Sequence, residues 1–167
     1  MPTSVTQRDI DHQRGTNARV LAHLLQSKNS FYTLISDTNG QRRTTLEVLK
    51  MVVEQQPQIH VFLDVGAQIL DISNHQVAKA WLNLSSDSDG AIYFNEDDEL
   101  MVLTKDGTSR TLSSSPLTER LDRCVVYLDD AHTRGTDLKF PSGFRAAVTL
   151  GPKVTKDRLV QGEKLSS

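Results

Sequence analysis

Cysteine is nearly absent from this sequence, and neither sign of charge is in clear excess. Cys124 is the only cysteine among 167 residues, which excludes an internal disulfide and any metal site with two thiolate ligands. A single thiol fits a reducing compartment, so we expect an intracellular, cytoplasmic protein. Basic residues number 19 and acidic residues 21, and this balance gives no general attraction to nucleic acid or to an anionic membrane.

Apolar runs long enough to span a membrane are also absent from the sequence. The first eleven residues are polar, so we expect no secretory signal there. No internal repeat is visible, and the length suits one domain. We expect a disordered arm over residues 1–16, a single domain over residues 17–161 and a truncated tail over residues 162–167.

Helical patterns are marked by their start signals. Thr44 and Ser73 each stand three residues before a Glu or Gln, which is the spacing of a capping box, and apolar residues follow at helical intervals. A further helical pattern begins at Asn17, and Pro116 follows a serine that can cap a short helix.

Strand patterns alternate with these helices. Apolar, β-branched runs predict buried strands over residues 59–65, 124–128 and 145–150. Two more runs flank the acidic turn at residues 95–99 and predict a β-hairpin insertion over residues 91–112. The alternation predicts an α/β fold with a mostly parallel sheet and flanking helices.

Polar residues follow the predicted strands, and parallel sheets bind ligands beyond the carboxyl ends of their strands. We therefore expect the functional rim of the domain at these positions. The candidate rim residues are Asp64, Gly66, Asp129, Asp130, Arg134, Gly135, Thr136 and Asp137.

A metal site is not expected. The acidic turn at residues 96–99 offers carboxylates to a hard cation, but it lacks the glycine and the closing glutamate of a calcium loop. A solvated hairpin tip is the preferred interpretation. The five histidines show no zinc-binding spacing.

Cys124 and His132 are the candidates for thiol catalysis, which needs a thiolate beside an imidazole. They are eight residues apart, and eight extended residues span about 25 Å. If a strand separates them, Cys124 serves instead as a small buried apolar residue.

Nucleotide chemistry is the other possibility, although no GxxxxGK[ST] phosphate loop is present. The sequence LDDAH at residues 128–132 is similar to an acidic Walker B box. The sequence HTRGTDLK at residues 132–139 resembles a strand-to-loop motif in the second RecA-like lobe of superfamily-two helicases and of the preprotein-translocase ATPase. A glycine-containing loop held by Asp and Thr side chains is an equally good interpretation of these residues.

Five segments carry a more specific resemblance. They are IHVFLDVGAQIL, SNHQVAKAWLNL, AIYFNEDDELMVL, VVYLDDAHTRGTDLKFP and RAAVTLGPKVTKDRLVQ, in this order. Over residues 17–161 the chain resembles the C-terminal portion of a family of very large, mainly fungal proteins commonly named ubiquitinyl hydrolases. The resemblance implies a thiol-type deubiquitinase, no cofactor, and ubiquitin or a ubiquitinated protein as the partner. The same region resembles a non-catalytic second lobe of a helicase-like ATPase.

The chain departs from the family after Leu159-Val160-Gln161, where the family continues into a helix rich in Met and Arg. In a helicase, arginines of that helix stabilise charge on the transferred phosphate. We therefore expect a fragment that is not catalytically competent alone and that works with the remainder of a larger family protein.

Overall fold

A computed structural model describes residues 33–36, 38–133, 138 and 140–151. The described helices and strands belong to the second of two units into which the chain divides, Ile35–Ser167. The predicted arm over residues 1–16, the helix from Asn17 and the tail over residues 162–167 lie outside the described residues. No helix in the described part of the chain is long and apolar enough to cross a membrane.

In the part of the chain that the structure describes, six strands form one sheet and two α-helices pack on it. The helices are α1 (Thr45–Val53) and α2 (Asn74–Leu84). The strands are β1 (Val61–Leu63), β2 (Gly90–Phe94), β3 (Leu100–Thr104), β4 (Ser109–Thr111), β5 (Cys124–Leu128) and β6 (Ala146–Val148). Three short 3₁₀ helices lie between β4 and β5, at Leu112–Ser114, Pro116–Glu119 and Leu121–Arg123.

The strand order is β4-β3-β2-β5-β1-β6, and it corrects part of the predicted fold. The α/β class is confirmed, but only β2, β5, β1 and β6 are parallel to one another. β3 pairs antiparallel with β2, and β4 pairs antiparallel with β3. The turns between these strands are too short for a crossover, so the chain must reverse its direction there. The hairpin that was predicted as an insertion belongs to the sheet, because β2 also pairs with β5.

The predicted capping boxes start both α-helices. Thr44 Oγ1 accepts a hydrogen bond from the Glu47 amide, and the Thr44 amide donates in return to the Glu47 carboxylate at 2.8 Å. Ser73 and Gln76 make the same reciprocal pair at the start of α2. α1 is further fixed by Thr45, whose amide and hydroxyl both donate to the Asp71 carboxylate.

The two faces of the sheet are covered differently. Alternate strand residues, including Phe62, Val125 and Tyr127, face a core shared with the two α-helices, in which Trp81 is only 1% exposed. The remaining strand residues, including Val61 and Cys124, face the layer of 3₁₀ helices and the described residues between 138 and 148. Both faces are covered, so the central strands are apolar along their whole length.

His60 lies at the amino end of the sheet, just before β1, and its ring stacks on Phe144 with centroids 4.4 Å apart. Partial burial lowers the pKa of His60 below its usual 6.5, and a backbone hydrogen bond at Gln58 partly offsets this effect. The unfolded chain then binds a proton at a higher pH than the folded chain does. His60 therefore stabilises the fold fully above pH 6.5, and its contribution is lost as the pH falls through the lowered pKa.

We expect this contribution to be visible in urea unfolding measured from pH 7.5 down to pH 5. The wild type should lose more stability over this interval than His60→Phe, which keeps an aromatic ring but has no titrating group. Parallel pH profiles for the two proteins would contradict the assignment.

Candidate functional site

Four strands bring their carboxyl ends to one edge of the sheet, as parallel pairing requires. Asp64 follows β1, Asp129 follows β5, Thr149 follows β6, and Phe94 ends β2. The described candidate residues Asp64, Gly66, Asp129 and Asp130 therefore share this edge, which we call the carboxyl rim. The other four candidates, Arg134, Gly135, Thr136 and Asp137, lie outside the described residues.

Asp64 is buried, with 2% exposure, and its carboxylate is occupied by the protein itself. One oxygen accepts hydrogen bonds from the Gln68 amide at 2.7 Å and the Thr149 hydroxyl at 2.5 Å. The other accepts from the Ile69 amide at 2.8 Å. The predicted rim acid thus ties the loop after β1 to the end of β6.

Gly66 approaches another backbone segment closely, and that segment belongs to the same protein. A Cβ atom at Gly66 would lie 2.6 Å from the Gly151 amide nitrogen and 2.8 Å from the Leu150 carbonyl carbon. The Gly66 amide donates to Thr149 Oγ1 at 3.1 Å. Glycine at position 66 lets the loop after β1 pack closely against the segment after β6. This packing is a sufficient reason for the absence of a side chain.

Asp129 is held between β2 and the segment that follows β5. Its carboxylate accepts a hydrogen bond from Asn74 Nδ2 at 2.7 Å and another from the His132 amide at 3.0 Å. Asn74 Nδ2 also donates to the Phe94 carbonyl at 3.1 Å. The first residue of α2 therefore joins the ends of two neighbouring strands.

His132 lies between two carboxylates and against an aromatic ring. Its Nδ1 is 2.5 Å from Asp129 Oδ1, and its Nε2 is 3.0 Å from Asp98 Oδ1. The imidazole stacks on Phe94 with a centroid distance of 4.0 Å and an interplanar angle of 7°. Its side chain is only 15% exposed. This contact network, which we call the His132 cluster, consists of Asn74, Phe94, Asp98, Asp129 and His132.

The segment 129–133 is folded back on itself as a turn. The amides of His132 and Thr133 both donate to the Asp129 carbonyl, and the Thr133 hydroxyl donates to the Asp130 carbonyl at 3.0 Å. Thr133 is buried and Asp130 is half-buried. The polar groups at the end of β5 are thus ordered before the chain reaches Arg134.

The structure does not bring Cys124 and His132 together. Cys124 is the first residue of β5, and His132 lies four residues beyond the last. The Cys124 thiol is fully buried and has a weak contact with the Arg120 carbonyl at 3.8 Å. Burial raises the pKa of this thiol to about 12, so it is protonated at physiological pH. A thiol in this state is a poor nucleophile.

Sequence reasoning missed three members of the His132 cluster. The sequence pattern placed Asn74 at the start of a helix and Phe94 in a strand, but it did not indicate that either residue contacts the segment after β5. Asp98 was assigned to a solvated turn, and its side chain is indeed 84% exposed while it contacts His132. Asp98 has a positive φ of 59°, a conformation that Asp and Asn adopt more readily than most residues.

Cation binding has no support in the described part of the chain. No three His, Cys, Asp or Glu side chains among the residues described are grouped so that they could hold a metal ion. The carboxylates of Asp64 and Asp129 are directed at donors within the protein, as given above. The rim therefore organises loops, and the carboxylates of Asp64 and Asp129 are engaged in that task.

Comparison of the chain with protein-family models, with curated proteins and with solved structures found no match.

Proposed function

We propose that this chain is a non-catalytic α/β lobe of a larger intracellular protein of the ubiquitinyl hydrolase family, located in the cytoplasm. In this role the lobe presents the segment after β5 to the remainder of that protein. The five segments that resemble the family support the assignment. The chemistry of Cys124 supports the non-catalytic role.

The burial of Cys124 carries the proposal. A cysteine deubiquitinase requires a thiolate that is exposed to its substrate and lies beside an imidazole. Cys124 is fully buried, its pKa is raised to about 12, and no other cysteine occurs in the chain. Under this proposal, hydrolysis of ubiquitin conjugates belongs to a part of the larger protein outside this sequence.

The carboxyl rim supports the role as a lobe. Asp64 and Gly66 fasten the loop after β1 to the end of β6, and the His132 cluster fastens the segment after β5 to β2. Such a rim is a rigid base for the residues that follow Thr133. In the helicase-like interpretation these residues face an opposing lobe and a nucleotide, so tight ATP binding requires that second lobe.

Reaction with a ubiquitin–propargylamide probe tests the absence of thiol catalysis. We expect no adduct on the native chain, while an active cysteine deubiquitinase reacts under the same conditions. Iodoacetamide should also alkylate native Cys124 far more slowly than the urea-unfolded chain, by about a thousandfold from the thiolate fraction alone. A Cys124-dependent ubiquitin adduct, absent in Cys124→Ala, would overturn the proposal.

Calorimetric titration with Mg²⁺-ATP tests the dependence on a second lobe. We expect no measurable heat of binding from this chain alone. Tight binding of ATP by the isolated chain would contradict the assignment as a dependent lobe, whatever the outcome of the ubiquitin experiment.

A further inference from the structure

A second polar site lies away from the carboxyl rim, between α2 and the turn that joins β3 to β4. A small cavity of about 60 Å³ is lined there by residues of both elements. Its floor includes the buried side chains of Leu82 and Leu103, and its wall includes His75, Lys79 and Lys105. An apolar floor with a few converging polar groups is the usual construction of a small-ligand site.

Two lysines line this cavity from different elements, Lys79 from α2 and Lys105 from the turn after β3. His75 and Lys79 are four residues apart on α2, so they project from the same face of the helix. Lys105 follows β3, and its Nζ donates to the Ser86 carbonyl at 2.7 Å, which fixes the end of a flexible side chain. An ammonium has three N–H donors, so Lys105 keeps two for another acceptor.

His75 is held in place by a buried hydroxyl. Tyr93 is 3% exposed, and its hydroxyl is 2.8 Å from His75 Nδ1 and 2.8 Å from Ser109 Oγ. The two rings also contact edge to face, with centroids 5.3 Å apart. With Nδ1 engaged by Tyr93, Nε2 is the ring nitrogen left to a ligand. Imidazoles that bind ligands are commonly oriented in this way through their second nitrogen.

The nearby carboxylates accept hydrogen bonds from other residues, although Asp89 also interacts electrostatically with Lys105. Asp106 accepts hydrogen bonds from the Thr104 hydroxyl at 2.5 Å and the Thr108 amide at 2.9 Å. Asp89 is paired with Arg123 through both carboxylate oxygens, at 2.9 and 3.0 Å. The cavity wall itself contributes two lysines and no acid, so the site favours an anion.

From these groups we propose that the cavity binds the phosphate group of a small molecule. Lys79 and Lys105 supply the positive charge, and His75 supplies a directed ring nitrogen. Tetrahedral phosphate offers oxygens in several directions and suits three separate point donors better than a planar carboxylate does. The cavity holds a phosphate group and little more, so the rest of the ligand extends into solvent. This inference is independent of the proposed role as a lobe.

The proposal is tested by NMR titration of the ¹⁵N-labelled chain with inorganic phosphate at constant ionic strength, with chloride as the matched anion. We expect saturable amide shifts centred on Lys79, Thr104, Lys105 and Gly107 with phosphate, and none with chloride. Lys79→Ala and Lys105→Ala should each bind phosphate about tenfold more weakly. Lys50→Ala, which removes an exposed lysine of α1, should leave the affinity unchanged.

The Tyr93→Phe variant tests whether the oriented His75 ring contributes to phosphate affinity beyond the charge of the two lysines. This variant keeps both ammonium groups and removes the hydroxyl that holds His75, and we expect about threefold weaker binding. The amide spectrum of each variant shows whether the fold is retained. Equal shifts with phosphate and chloride, or unchanged affinity in both lysine variants, would overturn the phosphate site. Unchanged affinity in Tyr93→Phe would overturn the role of His75 in it.

Discussion

Replacement of Asp64 by alanine should lower the free energy of unfolding by about 3 kcal/mol or more, because it leaves three donors inside the protein without their acceptor. These donors are the amides of Gln68 and Ile69 and the hydroxyl of Thr149. Asp64 is 2% exposed, so water cannot simply replace the carboxylate. Urea unfolding of the two proteins, followed by circular dichroism, measures the difference.

Asp64→Asn refines this experiment. The amide keeps the size of the carboxylate but replaces one acceptor oxygen by a donor group, which then meets another donor. We expect Asp64→Asn to be clearly destabilised as well. Asp97→Ala is the matched control, because Asp97 is an exposed acid on the turn between β2 and β3, and it should change stability by no more than about 0.5 kcal/mol. A tolerated Asp64→Ala would show that the loop after β1 does not depend on this carboxylate.

Gly66→Ala should destabilise the fold by about 2–3 kcal/mol, as over-packing against a fixed backbone does. The new methyl group would lie 2.6 Å from the Gly151 nitrogen, and neither backbone can rotate away as a flexible side chain can. We expect the rim loops to separate, with the hydrogen bond from the Gly66 amide to Thr149 weakened. Thermal and urea unfolding give the magnitude, and amide exchange at Gly66 reports the separation.

Gly40→Ala provides the comparison for this prediction. Gly40 has a φ of +77° and nothing within 4 Å of an added Cβ, so alanine there meets backbone strain but no contact. That strain costs about 1 kcal/mol. Gly66 lacks the positive φ, so its penalty comes from the contact alone and should be the larger of the two. The reverse order would contradict the close approach of the two loops.

Local signals in the sequence predicted the elements well. The capping boxes at Thr44 and Ser73 start helices where expected, because a cap depends only on residues within one turn. The apolar run that begins at Cys124 forms a central strand, since it is buried on both faces. The hairpin turns were recognisable because short polar turns leave the chain few alternatives.

The pairing and packing of those elements were harder to predict from the sequence, because they depend on residues that are far apart in the chain. β2 pairs with β3 as expected, but nothing in its sequence shows that its other edge pairs with β5. His132 contacts Asp98 across 34 positions, and Gly66 owes its identity to Gly151. Asp64 and Asp129 of the predicted ligand rim accept hydrogen bonds from Thr149 and Asn74, which are distant in the sequence, and only the folded structure shows this.

The central position of β5 has a consequence for the order in which the chain can fold. β1 and β2 both lie beside β5 and do not pair with each other. A ribosome therefore completes β1, α2 and the β2–β4 ribbon while the gap between β1 and β2 still lacks its strand. Unpaired strand edges invite association with other chains, so we expect the chain to be most prone to aggregation during this interval of synthesis. Arrival of the segment from Cys124 to Leu128 closes both edges at once and converts two separate pieces into one sheet.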